Sequence, residues 1–159
     1  MDFDVEICQL SEEFYKAYPE ELYPEIMIKD NRPYTCLLIE THDDYLICIP
    51  FRSHILHKNA FFFSESSRSK RTPSGLDYKK SVIIKDKTYI DNTNTVVVDG
   101  DEYNETIINI EKIVSEVHAY IQDYILHVKG TNVLHHREFL RRYEFSTLPY
   151  FHDILELPN

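Results

Sequence analysis

Apolar residues change their spacing about two thirds of the way along the chain. Before that point they form short β-prone runs, and after it they recur with helical periodicity. The runs are Tyr34–Thr41, Tyr45–Phe51, Ala60–Phe63, Ser81–Ile84, Thr88–Ile90 and Thr95–Val98. From Thr106 to Lys129 the period is that of one amphipathic helix, with Gly130 placed to end it. Strands followed by helices predict an α+β fold, in which an antiparallel sheet is covered by helices.

Turn and cap residues divide the chain further. His42-Asp43-Asp44 separates the first two runs and predicts a β-hairpin, while Pro50 predicts the end of its second strand or an edge position. Ser11 is a candidate N-cap for a short helix over residues 9–16. A second C-terminal helix is expected over 133–143, followed by a short tail. The polar segment Ser64–Gly75 is expected to be an exposed, mobile loop.

Length and composition indicate one domain over residues 1–159. At 43% hydrophobic residues the chain can bury a substantial core, and its apolar runs are too short to span a bilayer. The acidic N-terminus does not resemble a signal peptide, so we expect a cytoplasmic protein without membrane contacts. Cys8, Cys36 and Cys48 are widely spaced and have no CxxC pattern, which argues against disulfides or a cysteine zinc site.

The distribution of charge is more informative than its total. The net charge is −10, yet residues 51–90 contain nine Lys and Arg against three acidic residues, a local excess of +6. A basic segment within an acidic chain is typical of a site for a phosphate backbone. The alternative is a solvated surface that balances acidic neighbours.

The densest group of reactive side chains begins where the hairpin is expected to end. Arg52 offers a planar donor fork for phosphate, Ser53 can donate to a phosphoryl oxygen, and His54 or His57 can transfer protons near neutral pH. RNA cleavage through the 2′-hydroxyl requires no protein nucleophile and no metal. The alternative is an ordinary exposed loop after a strand.

Other chemistries find less support in the sequence. His54 and His57 have the spacing of a ligand pair, and His42-Asp43-Asp44 could in principle supply a third ligand, but neither HExxH nor a second clear pair occurs. We therefore expect no metal. Three glycines cannot build a nucleotide-phosphate loop, and no GxSxG motif surrounds Ser53, so we expect no cofactor and no hydrolase triad. Tyr15 and Tyr34 are candidates for stacking on unpaired bases, whereas Phe61–Phe63 is expected in the core.

Several short motifs occur together in one order. They are Phe14-Tyr15, Arg32-Pro33-Tyr34, Ile49-Pro50-Phe51-Arg52-Ser53-His54-Ile55-x-His57 and Gly75-Leu76-Asp77-Tyr78-x-Lys80. Over most of residues 10–145 this arrangement resembles the endoribonucleases of type III toxin–antitoxin systems, in particular the TenpN-like branch.

The resemblance implies a twisted antiparallel sheet flanked by helices and a metal-independent, sequence-selective endoribonuclease. Such an enzyme cleaves single-stranded RNA to a 2′,3′-cyclic phosphate and a 5′-hydroxyl. The implied partner is a small repeated antitoxin RNA with a pseudoknot, which the toxin cuts from its precursor and which inhibits the toxin in a closed toxin–RNA hetero-oligomer. The implied biological role is defence against phage by abortive infection.

Carried over by position, the resemblance makes Ser53 the active-site serine. Arg52 stands where relatives of the ToxN type have Thr, and Ile55 where they have Lys, so the catalytic cation is open among Arg52, His54, His57, Lys58 and Lys80. We expect His54 or His57 to transfer protons, Arg52 and Lys80 to stabilise the phosphorane, and Tyr15 and Tyr34 to position the nucleotide. The residues expected to hold the RNA backbone are Arg32, Lys58, Arg68, Lys70, Arg71, Lys79, Lys85 and Lys87.

Two other functions remain open from the sequence. The same basic segment suits a non-catalytic RNA-binding or regulatory module, in which loss of Lys or Arg weakens binding but Ser53 has no special importance. A protein-interaction domain would carry no RNA at all.

Overall fold

Six antiparallel strands and four α-helices make up the described part of the chain in a computed structural model. The structure describes residues 5–26, 35–93 and 96–159. The strands are β1 Val5–Gln9, β2 Thr35–Glu40, β3 Leu46–Arg52, β4 Ala60–Phe62, β5 Gly75–Asp77 and β6 Val82–Ile84. The helices are α1 Glu12–Ala17, α2 Gly100–Ile108, α3 Ile110–Val128 and α4 His136–Tyr143. The predicted α+β fold with a helical C-terminal part is confirmed.

The predicted hairpin forms the centre of the sheet. β2 and β3 pair in the register Cys36 with Pro50 and Ile39 with Ile47, and the side chains between them are buried. Thr41 closes the turn, since its hydroxyl donates to the Tyr45 carbonyl and accepts from the amide of Asp43. β1 pairs with the outer side of β2.

Pro50 lies inside β3 rather than at its end. On the side of β3 away from β2, β6 pairs with Leu46–Cys48 and β5 pairs with Phe51–Arg52. Pro50 falls in the gap between these two partners, so its missing N–H removes no hydrogen bond to β5 or β6. The sheet therefore divides at Pro50, and Ser53 follows the end of β3 beside β5.

Helix α3 shares its core with the sheet. Its fully buried residues include Ile113, Val117 and Ile121. The Glu116 carboxylate accepts a hydrogen bond from the Tyr78 hydroxyl at 2.8 Å, which ties α3 to the segment after β5. One continuous apolar core joins this helix, the sheet and the C-terminal turn Leu148–Phe151.

The helices begin and end at recognisable caps. Ser11 is the N-cap of α1, as predicted, and its hydroxyl accepts from the amide of Phe14. The single helix expected over 106–129 is wrong in its start: α2 begins at Gly100 behind the N-cap Asp99, and Asn109 separates it from α3. Gly130, at φ +75°, follows the end of α3 as predicted. The last helix starts at His136 rather than Val133.

Two of the predicted strands do not form, and the structure contains two strands that were not predicted. The run at 88–90 is a 3-10 turn, Lys87–Tyr89, because Asp86 caps it by accepting from the amide of Thr88. Val96–Val98 forms no strand, and Thr95 lies outside the described residues. Strands β1 and β5 were not predicted, because polar or small residues interrupt their sequences, VEICQ and GLD, and leave no continuous apolar run.

The Ser64–Gly75 loop is only partly exposed. Ser66 and Ser74 are buried, and Ser69 bonds back to Ser66 through both its amide and its hydroxyl. Gly75 must be glycine, because a Cβ there would lie 1.8 Å from the carbonyl oxygen of Phe61 on β4. This close approach of β4 and β5 anchors the C-terminal end of the loop. No helix in the described ranges is long and apolar enough to cross a membrane.

Candidate active site

Ser53 lies against a guanidinium from the Ser64–Gly75 loop, which we call the basic loop. Arg68 donates from Nη1 to Ser53 Oγ at 3.2 Å. Arginine has no acceptor, so the Ser53 oxygen accepts this bond and its own O–H remains available to another acceptor. Ser53 therefore presents a hydroxyl donor beside a guanidinium, the pair of groups that a phosphoryl oxygen requires.

Helix α2 fixes the position of Arg68. Its Nε and Nη2 donate to the two carboxylate oxygens of Glu102 at 2.7 and 2.8 Å. Glu102 is 3% exposed, so this bidentate pair is well shielded from water on the carboxylate side. One turn later, Glu105 accepts from the amides of Ser64 and Glu65. Both carboxylates dock the basic loop on α2, and that of Glu102 aims the remaining nitrogen of Arg68 at Ser53.

His54 sits next to this pair in an uncommon backbone conformation. Its φ is +54°, in the left-handed region, which costs a non-glycine residue on the order of 1 kcal/mol. Nδ1 lies 2.9 Å from the Thr72 hydroxyl. Within the described part of the chain Nε2 makes no hydrogen bond, and the residue is exposed. The loop thus holds an imidazole by one nitrogen and leaves the other facing solvent.

The loop brings these groups together through its backbone. The amide of Thr72 donates to the carbonyl of Arg68, and the amide of Ile55 donates to that of Pro73. Residues 68–73 therefore run alongside residues 53–55. We refer to Ser53, His54, Arg68 and Thr72 as the serine cluster.

A second group forms around the buried carboxylate of Asp77. Arg52 Nη1 lies 2.6 Å from Oδ2, His57 Nε2 lies 2.9 Å from Oδ1, and the amide of Lys79 donates to Oδ1 at 3.0 Å. The His57 contact lacks the alignment of a good hydrogen bond. Burial would by itself raise the pKa of Asp77, but the His57 and Arg52 contacts outweigh it and hold this pKa below its usual value.

His57 is engaged at both ring nitrogens. Its Nδ1 accepts the amide hydrogen of Asn59 at 3.0 Å, while Nε2 faces Asp77. A nitrogen that accepts an amide hydrogen carries no proton, so the structure favours the tautomer with its proton on Nε2. We refer to Arg52, His57 and Asp77 as the aspartate cluster.

Lys79 and Lys80, which follow Asp77 closely in the chain, bind residues other than those of the serine cluster. Lys79 is buried, burial lowers its pKa, and its ammonium donates to the Arg141 carbonyl at 3.4 Å. Lys80 donates to Glu25 at 3.0 Å and to the Phe145 carbonyl at 2.7 Å. Lys80 also lines a narrow apolar pocket with Tyr15 and Pro50. The structure therefore groups Lys80 with Tyr15 rather than with Ser53.

The remaining predicted cations are divided between surface and ion pairs. Arg68 and Lys79 bind other residues as described above, whereas the other five described cations predicted to hold the RNA backbone are exposed. The exposed residues are Lys58, Lys70, Arg71, Lys85 and Lys87. Two further predicted site residues, Arg32 and Tyr34, lie outside the described residues.

Three participants in the site escaped the sequence prediction. Glu102 and Thr72 belong to no recognisable motif. Their contacts depend on how the basic loop folds onto α2 and onto the end of β3. Asp77 did leave a signal, since it is an acidic residue flanked by the large side chains of Leu76 and Tyr78. A charged residue within a buried run calls for a cationic partner. Arg68 was assigned to the RNA backbone and not to Ser53.

Neither a family model nor a curated protein nor a solved structure significantly matches the chain. In residues 5–26, 35–93 and 96–159, no three His, Cys, Asp or Glu side chains are placed to hold a metal ion.

Proposed function

We propose that this chain is a metal-independent endoribonuclease that cleaves single-stranded RNA at the serine cluster. The observation that carries the proposal is the 3.2 Å hydrogen bond from Arg68 to Ser53. It leaves the Ser53 O–H free to donate beside a fixed guanidinium, next to an imidazole with one open nitrogen. These are the groups that stabilise charge and move protons in phosphoryl transfer.

The chemistry follows from these groups. The RNA 2′-oxygen attacks the adjacent phosphorus, the bond from phosphorus to the 5′-oxygen breaks, and the 2′-hydroxyl proton leaves as the 5′-oxygen gains one. His54 Nε2 is the group with an open position for proton transfer. Ser53 and Arg68 donate to the phosphoryl oxygens as negative charge builds up on them. The products are a 2′,3′-cyclic phosphate and a 5′-hydroxyl.

The aspartate cluster stabilises the chain on both sides of Ser53 and His54. Arg52 is the residue before Ser53 and pairs in the β3–β5 register with Gly75, and its guanidinium is held by Asp77. His57 is tied to the same carboxylate. We assign Arg52, His57 and Asp77 to fixing the end of β3, and proton transfer to His54.

The wider role follows the resemblance to type III toxins. We propose that the protein acts in the cytoplasm, cuts its own antitoxin RNA precursor, and is inhibited by the pseudoknot product in a closed assembly. Release of the toxin from this assembly during phage infection would arrest growth. The exposed cations Lys58, Lys70 and Arg71 near the serine cluster support contact with an RNA backbone.

The test is incubation of purified protein with a mixed single-stranded RNA in EDTA. Wild type is compared with Ser53→Ala and with Ser69→Ala, a serine of the loop that carries Arg68, whose hydroxyl donates to the Ser66 carbonyl. Mass spectrometry identifies the fragment ends. Cyclic-phosphate ends from wild type and Ser69→Ala, but not from Ser53→Ala, are expected. Retained binding without cleavage by RNA-free wild type would favour the binding-module function instead.

A further inference from the structure

A second basic segment lies outside the candidate site. Residues 129–142 contain Lys129, Arg137, Arg141 and Arg142 against a single acidic residue, Glu138. This local excess of +3 stands in a chain of net charge −10. His135 and His136 are exposed in the same segment.

Helix α4 presents this charge on a fixed surface. Its aromatic side packs inward: the Phe139 ring stacks on His127 with centroids 4.1 Å apart, and the Tyr143 ring lies 5.2 Å from that of Tyr124. The His135 side chain caps the helix by accepting from the amide of Arg137. Because one side is held in the core, the opposite side carries the exposed Arg137 and Arg141 in defined positions.

Not every cation on this surface is neutralised. Arg141 pairs with Glu138, and Arg142 pairs with Asp123 on α3. Lys129 and Arg137 are both exposed and have no ion pair within the described ranges. They are the cations available to an external anion.

The C-terminal end of α4 lies against the segment that follows Asp77. Lys79 donates its ammonium to the Arg141 carbonyl, and its amide donates to Asp77. Further on, the amide of Thr147 donates to the Lys79 carbonyl at 3.1 Å. The basic surface of α4 is thereby connected through Lys79 to the aspartate cluster, and through Arg52 to Ser53.

We infer that Arg137 on the exposed face of α4 and Lys129 at the C-terminal end of α3, where His127 stacks on Phe139, form a docking surface for the sugar–phosphate backbone of single-stranded RNA. The choice of RNA as the polyanion rests on the proposed function; the surface itself rests on the charge and packing of α4. Two lysine or arginine contacts release counterions, so they contribute to the salt dependence of binding and carry no base specificity.

The experiment measures RNA affinity in the Ser53→Ala background, in which the probe is not cut. A fluorescein-labelled mixed-sequence RNA is titrated by anisotropy over a series of KCl concentrations. The test variant is Lys129→Gln with Arg137→Gln. The matched control is Lys16→Gln with Lys112→Gln, which removes the same charge from exposed sites on α1 and α3. Circular dichroism and thermal melting check that both variants are folded.

The two variants separate a local contact from a general effect of charge. We expect the α4 variant to bind several-fold more weakly and the slope of log K against log[KCl] to become shallower by about 1.4, or about 0.7 per lost contact. The control keeps the wild-type slope. Equal slopes in both variants, or no RNA binding by the parent protein, would overturn the inference.

Two further results distinguish this inference from the proposed function. Binding through α4 by a wild type that never cleaves RNA would leave the surface assignment intact and remove the enzymatic one. Cleavage by wild type with no effect of the α4 variant would do the reverse. An effect confined to phosphatidylserine vesicles, with unchanged RNA affinity, would overturn RNA as the occupant.

Discussion

Arg68 donates to the hydroxyl of Ser53 across 3.2 Å, although the two residues lie on opposite sides of strand β4 in the chain. The contact exists because the basic loop returns to the end of β3 before entering β5. It places a donor next to the serine and makes the loop part of the candidate active site.

Glu102 is expected to act through Arg68. Glu102→Gln removes the charged, bidentate partner and allows the guanidinium to move away from Ser53, so kcat for RNA cleavage should fall by about tenfold to a hundredfold with KM little changed. Single-turnover kinetics measure this. Glu105→Gln is the control, since it removes a carboxylate charge that faces only the loop amides of Ser64 and Glu65, and it should affect mainly the melting temperature. Equal kcat values for the two variants would contradict a positioning role for Glu102.

Asp77 is expected to be essential for stability. Asp77→Asn leaves Arg52 without its buried countercharge, at a cost of about 3 kcal/mol in the free energy of unfolding near pH 7. Chemical denaturation measures it. Because the folded-state pKa of Asp77 lies below the usual value of 3.8, its contribution is present above about pH 4 and is lost as the pH falls through the folded-state pKa. The stability difference between wild type and Asp77→Asn should therefore shrink in acid; a difference that is constant with pH would argue against this assignment.

A glycine substitution at His54 distinguishes the cost of its backbone conformation from its role in proton transfer. His54→Gly relieves the left-handed conformation at φ +54° and should leave the protein as stable as wild type or more so, by up to about 1 kcal/mol. The same change removes the imidazole, so the cleavage rate should fall by about a hundredfold or more. Melting curves and initial rates on one preparation give both values. Full activity in His54→Gly would remove His54 from the proposed mechanism.

Gly75 is expected to tolerate no side chain. Gly75→Ala would place a Cβ 1.8 Å from the Phe61 carbonyl oxygen and should destabilise the protein by about 2 kcal/mol or more, since the neighbour is backbone. Gly100→Ala is the control: the methyl group that it adds would have no heavy atom within 4 Å, and the stability should be unchanged or slightly higher. Guanidinium denaturation of both variants tests this. Equal stabilities would contradict the close approach of β4 and β5.

Local sequence patterns predicted much of the fold. The hairpin of β2 and β3 is readable because two long apolar runs flank a polar turn, and α1 because Ser11 precedes two acidic residues. The strand at Val5–Gln9 and the break at Asn109 were missed. Both depend on partners far away in the chain: β1 exists by pairing with β2, and α2 is positioned by its contacts with the basic loop.

The candidate site was predicted only in part. The high content of reactive residues at 52–58 can be recognised in the sequence, and Ser53 and His54 do follow the end of β3. The sequence does not reveal that Arg52 and His57 turn to Asp77 while Arg68 turns to Ser53. Which cation meets which acid is decided by long-range packing, and no local pattern encodes it.

The most direct test of the central claim is cleavage of one RNA oligonucleotide and its fully 2′-O-methylated counterpart in EDTA. Wild-type protein is predicted to cut only the unmodified strand and to leave a 2′,3′-cyclic phosphate, because the 2′-oxygen is the nucleophile. Arg68→Ala should reduce this cleavage by about a hundredfold, whereas Lys112→Ala, which removes an exposed cation on α3, should retain most of it. Cleavage of both strands, 5′-phosphate ends, or no cleavage of either strand by folded wild type would contradict the proposed mechanism.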